Sequence, residues 1–593
     1  MRPLLCCRPI LAIVAAASYV AAFGAHAQVP GTVNPQGSGI ERSAAAGTAA
    51  VASRRFMVAA ANPHAVEAGY RILRQGGSAV DAAVAVQLVL GLVEPQSSGI
   101  GGGAFMLVHD ARRHRLMAYD GRETAPAAAK PDRFLDQDGK PLKFFDAFVG
   151  GRSVGVPGVV ALLAETHKRH GRLPWVQLFR PAIELAERGF AVSPLLHASI
   201  AAEGRFPQAR ASAYFHAADS RPLAAGTVLR NPRFAATLRA IAAGGADAFY
   251  RGDVARDIVA TVTDAPVGAG DMTLADLAAY KVIVREPVCG AYRAYQVCGM
   301  SLPSSGGPTV LQMLGMLEPY DLAAMGAASL WSVHFISEAG RLAYADRDMW
   351  MADPGYYAAP AGLLDRGYLG ERSRLIRTTG SIGRATPGMP PVPATSKKVA
   401  YAMHAAPEFP STSHVSIVDR YGDAVAMSTS IEYAFGSRLM TEGGFLLNNE
   451  LTDFSFAPDA DGKPVANRVE GGKRPRSAMA PTIVYDAGGR VFMVTGSMGG
   501  PTIINQVVKT LVAVIDWGLD PRTAVGLPNF GSRNGPTELQ RGTRVAELAP
   551  KLEALGHDTV LTDSRGGAHV IVRTGSGWVG GADPRREGAV HGD

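Results

Sequence analysis

The sequence predicts an α+β fold in which stacked β-sheets lie between layers of helices. Three observations predict it. Residues 79–92 are apolar nearly all round, the pattern of a helix buried between layers rather than of a surface helix with one apolar face. Residues 155–280 have a mainly helical texture. From Thr412 onward the texture changes to short alternating strands and tight turns, with one long apolar helix at about 501–517.

In chain order, residues 1–27 read as a signal peptide. Arg2 and Arg8 supply positive charge, residues 10–23 form a short apolar run, and Ala25-His26-Ala27 gives a small-x-small cleavage pattern. The run is shorter than the ~20 residues of a membrane span, so the expectation is an exported protein, periplasmic or secreted. Residues 28–53, rich in Gly, Ala, Ser and Pro without periodicity, read as a disordered arm. A strand at 55–60 precedes a helix at 63–75 that stops at Gly76-Gly77, and Ser78 with Asp81 forms a capping box for the 79–92 helix. The spacing Gly99-x-Gly101-x-x-Ala104 matches a dinucleotide fingerprint, but these glycines follow a helix and open a strand at 105–108, the reverse of that motif's context. Close backbone packing explains them better. A strand at 116–120 ends in Gly121-Arg122-Glu123, and helical patterns follow near 159–170, 175–188, 234–243 and 254–262. A hairpin carrying Cys289 and Cys298, an apolar helix after Ser304-Ser305-Gly306-Gly307-Pro308, and a helix at 330–351 lead to a proline-rich linker at about 378–411.

At 593 residues, 47% apolar and 19% charged, the chain is an ordinary globular one that buries a large core. The net charge of +7 is spread without a block of like charges, which argues against a nucleic-acid partner. Beyond the signal only Cys289 and Cys298 remain, either as a hairpin disulfide or as two buried thiols. Neither Cys-x-x-Cys nor His-Glu-x-x-His occurs, so no metal and no cofactor are expected.

The chemistry centres on Pro410-Ser411-Thr412-Ser413-His414-Val415-Ser416, where the linker runs into a hydroxyl-led strand. A cut before Thr412 gives one residue both a hydroxyl and a free α-amine, nucleophile and base together. This stretch resembles the start of the small subunit of γ-glutamyltranspeptidases, members of the N-terminal nucleophile hydrolase superfamily. Further matches are Gly76-Gly77-Ser78-Ala79-Val80-Asp81, Ser98-Gly99-Ile100-Gly101-Gly102-Gly103, Arg122-Glu123-Thr124-Ala125-Pro126, Leu447-Asn448-Asn449-Glu450, Lys473-Arg474-Pro475 and Gly496-Ser497-Met498-Gly499-Gly500. The resemblance runs from Met57 to Asp583.

What the resemblance implies is an αββα four-layer sandwich and a precursor that cuts itself between Ser411 and Thr412. The products are a large chain, 54–411, and a small catalytic chain, 412–593, which stay together as a heterodimer. It assigns Thr412 as nucleophile, Ser430 as the hydroxyl that assists it, and Gly499 and Gly500 as the oxyanion site. It assigns Arg122 and Ser477 to the substrate carboxylate, and Glu450 and Asp453 to its ammonium. Two departures stand out: Glu432 where many members have asparagine, and Ala478 where a second serine is usual. The loss of that serine weakens the expected grip on the carboxylate. His414 reads as a strand residue rather than a second base.

The expected activity is cleavage of glutathione and other γ-glutamyl amides through an acyl-enzyme, with water or an amino acid or dipeptide as acceptor. Residues 457–472, which match the family's lid, are shorter than in well-known bacterial members, so hydrolysis is expected to dominate. A glutaryl- or cephalosporin-type acylase is the rival enzyme. A self-processed exported binding protein of weak activity is the rival outside catalysis.

Overall fold

The computed structural model describes residues 50–204, 206–392, 401–403, 411–563 and 566–593. The expected signal peptide, nearly all of the expected arm and part of the linker lie outside the described residues. Fourteen strands build two seven-stranded antiparallel sheets. They are β1 (Val51–Ser53), β2 (Met57–Ala60), β3 (Gly103–Asp110), β4 (Arg115–Gly121), β5 (Ile283–Arg285), β6 (Val288–Tyr292), β7 (Tyr295–Gly299), β8 (Ser413–Val418), β9 (Ala424–Ser430), β10 (Thr482–Tyr485), β11 (Val491–Gly496), β12 (His569–Thr574), β13 (Gly577–Ala582) and β14 (Ala589–Gly592). One sheet runs β14-β2-β8-β9-β3-β4-β5 and the other β1-β13-β12-β11-β10-β7-β6.

Both sheets mix strands from before and after the linker, and β8 lies third of seven in the first sheet. Its neighbours are β2 on one side, with Val415 opposite Ala60, and β9 on the other, with Val415 opposite Met427. Alternate residues of this sheet face opposite layers, as the two-residue period of a strand requires. Val58, Ala60, Met106, Val108, Val415 and Ile417 pack under helices α1 (Pro63–Arg74) and α2 (Ala79–Val93). Met57, Ala59, Phe105, Leu107 and Ala426 point the other way, into the layer between the sheets. On the far side α4 (Gly306–Leu317) and α6 (Ile503–Ile515) cover the second sheet, and α5 (Leu330–Trp350) packs on α4; α3 (Val159–His170) lies against α2 and β4. The four layers are therefore αββα. With both sheets covered on both faces, their strands read as apolar runs.

Most expected elements are in place. The Ser78–Asp81 capping box has both of its bonds, at 2.9 and 3.1 Å. Cys289 and Cys298 stand opposite one another in the β6–β7 hairpin and are bonded as a disulfide. Three boundaries are corrected. Val51–Ser53 is not the end of a disordered arm but strand β1, paired to β13. The helix expected over 175–188 is two, Trp175–Leu178 and Arg180–Arg188, because Pro181 has no N–H to continue the first and starts the second. The helix expected from Pro501 begins at Ile503, after a single tight turn at Gly500–Thr502.

Candidate active site

The β8–β9 hairpin places the nucleophile expected from the sequence. With Ser413 opposite Thr429, residue 412 must come alongside residue 430, and the Thr412 hydroxyl donates to Ser430 Oγ at 3.4 Å. Ser430 Oγ also accepts the backbone N–H of Glu432, at 2.9 Å. Thr412 has φ 146°, a region open to glycine and costly for a β-branched residue, by about 1–3 kcal/mol. On its N-terminal side the Ser411 hydroxyl donates to the carbonyl of Gln96 at 2.7 Å.

Thr412 and Ser411 open onto a cavity that all the expected site residues except Gly499 line. Gly499 and Gly500 follow the end of β11, at φ 125° and 56°, and of the two Gly500 lines the cavity. A side chain at Gly499 would meet the Thr502 hydroxyl at 2.9 Å. The Ser477 hydroxyl accepts the Met479 N–H at 3.1 Å, and Ala478 presents only a methyl group to the cavity.

The charged groups are arranged more tightly than the sequence suggests. Arg122, buried at the end of β4, does not stand apart from the acids. One of its terminal nitrogens pairs with Glu450 and the other with Asp453. Two further donors go to the carbonyls of Pro475, at 3.1 Å, and Arg476, at 2.9 Å. Burial opposes a charge on Arg122, but Glu450, Asp453 and Glu123 more than offset it and hold the guanidinium protonated. Glu432 accepts from Asn449 Nδ2, and burial followed by the charges of Asp453 and Glu450 pushes its carboxyl well above the usual range. Burial also raises Glu450, with Arg122 holding it back. Three carboxyls and one guanidinium thus line the cavity. Residues 457–472 are tied to this floor through Asn467, which donates to the Asp453 carbonyl at 2.7 Å and accepts the Arg476 N–H at 3.0 Å.

His414 does not face the cavity. Its ring nitrogens meet Ser428 Oγ at 2.9 Å and Ser416 Oγ at 3.1 Å between the sheets, and burial lowers it well below the ordinary imidazole range. Two features escaped sequence reasoning. Glu123 lies fully buried behind Arg122, 4.0 Å from it, and burial and the Glu450 charge push its carboxyl well up. His334, Glu338 and His557 converge in the core, close enough to bind a metal. Their atoms already satisfy one another: His334 meets His557 at 2.7 Å and the Arg377 carbonyl at 2.7 Å, and Glu338 pairs with Arg341 at 2.9 Å. The second feature has no local motif because His557 is remote in sequence.

Known proteins resemble this chain. The family model described as γ-glutamyltranspeptidase matches residues 65–593. The chain is 36% identical over 506 residues to a glutathione hydrolase proenzyme of Bacillus subtilis (strain 168), covering 84% of each. It is 35% identical over 549 residues to the glutathione hydrolase proenzyme of Escherichia coli (strain K12), covering 90% of this chain and 91% of that one. Among solved structures, the cephalosporin acylase from Bacillus halodurans superposes with a TM-score of 0.80 at 26% identity, over 92% of this chain and 97% of that one. A match over most of its length, with the expected residues gathered around one cavity, places the chain in the γ-glutamyltranspeptidase family.

Proposed function

We propose that the chain is a self-cleaving enzyme of the glutathione hydrolase type, which removes γ-glutamyl groups from amides such as glutathione. The observation that carries this reading is the strained Thr412, hydrogen-bonded to Ser430 and facing one guanidinium and three carboxyls. In the first step Thr412 Oγ attacks the Ser411 carbonyl carbon, the C–N bond to Thr412 breaks, and the Oγ proton passes to the departing nitrogen. Water then hydrolyses the ester, leaving a carboxylate on Ser411 and a free α-amine on Thr412. That amine, with an ordinary pKa near ~8, takes the Oγ proton when Thr412 attacks a γ-glutamyl carbonyl. The backbone N–H groups at Gly499 and Gly500 stabilise the oxyanion. The cavity acids take the substrate ammonium, and Arg122 exchanges part of its carboxylate partnership for the substrate carboxylate. The short stretch 457–472 supports hydrolysis over transfer, since a small cover admits water.

Intact mass spectrometry tests the first step. Wild-type protein resolves into two chains, one beginning at Thr412, and Thr412→Ala stays whole; uncut wild type that still turns over substrate overturns the reading. One observation favours a second substrate class. The structurally similar cephalosporin acylase from Bacillus halodurans shares the fold over 92% of this chain. Rates on γ-glutamyl and glutaryl anilides, measured side by side, decide between them. The acid set favours the γ-glutamyl substrate, because a glutaryl group has no ammonium to bind.

A further inference from the structure

The turn of residues 94–98, between α2 and the glycine run before β3, touches the chain on both sides of the Ser411–Thr412 bond. On one side Gln96 O accepts the Ser411 hydroxyl at 2.7 Å. On the other, Ser413 Oγ donates to Glu94 Oε2 at 3.1 Å, and Ser98 Oγ donates to Ser413 Oγ at 3.3 Å. The turn is closed on itself, since the Ser97 and Ser98 N–H groups reach the Glu94 carbonyl at 2.9 and 3.3 Å. It also takes the Ile431 N–H on Ser97 O, at 3.3 Å, next to Ser430. One short segment therefore registers both flanks of the bond and the residue after the assisting serine. The strained Thr412 lies at the middle of that grip.

We propose that this turn is the clamp that holds the Ser411-Thr412-Ser413 segment for self-cleavage, with Glu94 as its positioning residue. The proposal rests on the self-cleaving reading above. Fold stability does not account for Glu94. It is fully buried, its Oε1 has no hydrogen-bond partner among the described residues, and it sits at the C-terminal end of α2, where the helix dipole opposes a negative charge. Such a conflict between local preference and placement marks functional positions. Burial pushes its carboxyl up to about 7, with Glu587 adding to the rise and Arg586 and the Ser413 hydroxyl opposing it. Ionised, Glu94 can only accept, so it fixes the Ser413 hydroxyl as a donor. Protonated, it becomes a competing donor and the grip loosens. Glu94 gains and loses nothing in the net reaction.

The test follows self-cleavage by intact mass in freshly purified precursor from pH 5.5 to 8.5. Glu94→Gln keeps the shape and a neutral acceptor. It is expected to cut about tenfold more slowly at pH 8 and to lose the rise near neutral pH, as misplacement at a reacting centre does. Glu94→Ala and Ser413→Ala are each expected to slow the cut about a hundredfold. Their double variant should be no worse than either alone, because both remove the same contact. Wild-type rates and pH profile in both Glu94 variants, or additive losses in the double variant, overturn the clamp. Thermal unfolding of Glu94→Gln identifies a folding defect; a variant that unfolds like wild type and cuts slowly supports the proposal. Wild type that never cuts defeats instead the reading on which the clamp rests.

Discussion

In the proposed mechanism one small group matters most at two positions, Ser430 and Ala478. The Thr412 hydroxyl has Ser430 Oγ as its partner at 3.4 Å, a long bond, and a serine holds that oxygen with more rotamer freedom than a threonine would. Removing the partner costs a hydrogen bond of about 1–1.5 kcal/mol, so Ser430→Ala is expected to slow self-cleavage by roughly five- to fifteenfold. Ser430→Thr should match or exceed wild type, and band intensities over a time course read both. At Ala478 the effect lies in binding. A serine there adds one donor beside Ser477 in the cavity. For a γ-glutamyl anilide KM should fall about fivefold with kcat unchanged, the signature of about 1 kcal/mol of uniform binding. An unchanged KM would place the substrate carboxylate elsewhere.

At the scale of elements, the hairpin works because the glycine run before β3 lets other backbone come close. A side chain at Gly102 would stand 2.1 Å from the Ser430 carbonyl oxygen, a backbone atom that cannot swing aside. Gly102→Ala should therefore displace Ser430, leave the precursor largely uncut and cost about 1–3 kcal/mol of stability by overpacking. A mass spectrum paired with urea unfolding checks both parts. Much of this level was legible in the sequence. The alternation on either side of Tyr421-Gly422-Asp423 gave the hairpin, and Ser78 with Asp81 gave the cap of α2. Thr412 stood out from its own surroundings, but the substrate-facing residues were legible only through resemblance, because Arg122, the Glu450–Asp453 turn and Ser477 lie apart in sequence and share no local pattern. Glu94 and Glu123 were opaque for a different reason. Their significance lies in total burial and in the partners that burial leaves them, and those are set by tertiary packing.

Across the whole molecule, the interleaving of the two parts controls what a cut can do. Each sheet has strands from before and after the linker, so separating the pieces would open both sheets and the layer between them. That layer also holds a polar pair that sets the response to acid. His414 and His569 stack with ring centroids 6.3 Å apart between the sheets. Burial lowers both, His569 to about 4. An imidazole depressed in the folded state lends stability that is complete above its unfolded value, near 6.5, and is lost as pH falls through the folded one. For His569 that loss amounts to roughly 3 kcal/mol between neutrality and pH 4. The buried acids act in the opposite sense. Burial raises Glu94 and Asp419 to about 7, so their contribution is complete below the ordinary carboxyl range and is lost as pH rises through 7. A single stability curve therefore blends two slopes, and a difference curve separates them. In a Thr412→Ala background, expected to keep the chain whole, urea unfolding of His569→Leu should lack the acid-side loss. Relative to its parent, the variant should gain roughly 3 kcal/mol between pH 7 and pH 4. Parallel curves over that window would mean that the imidazole titrates alike in the folded and unfolded chain, and would remove the inter-sheet pair as the source of acid lability.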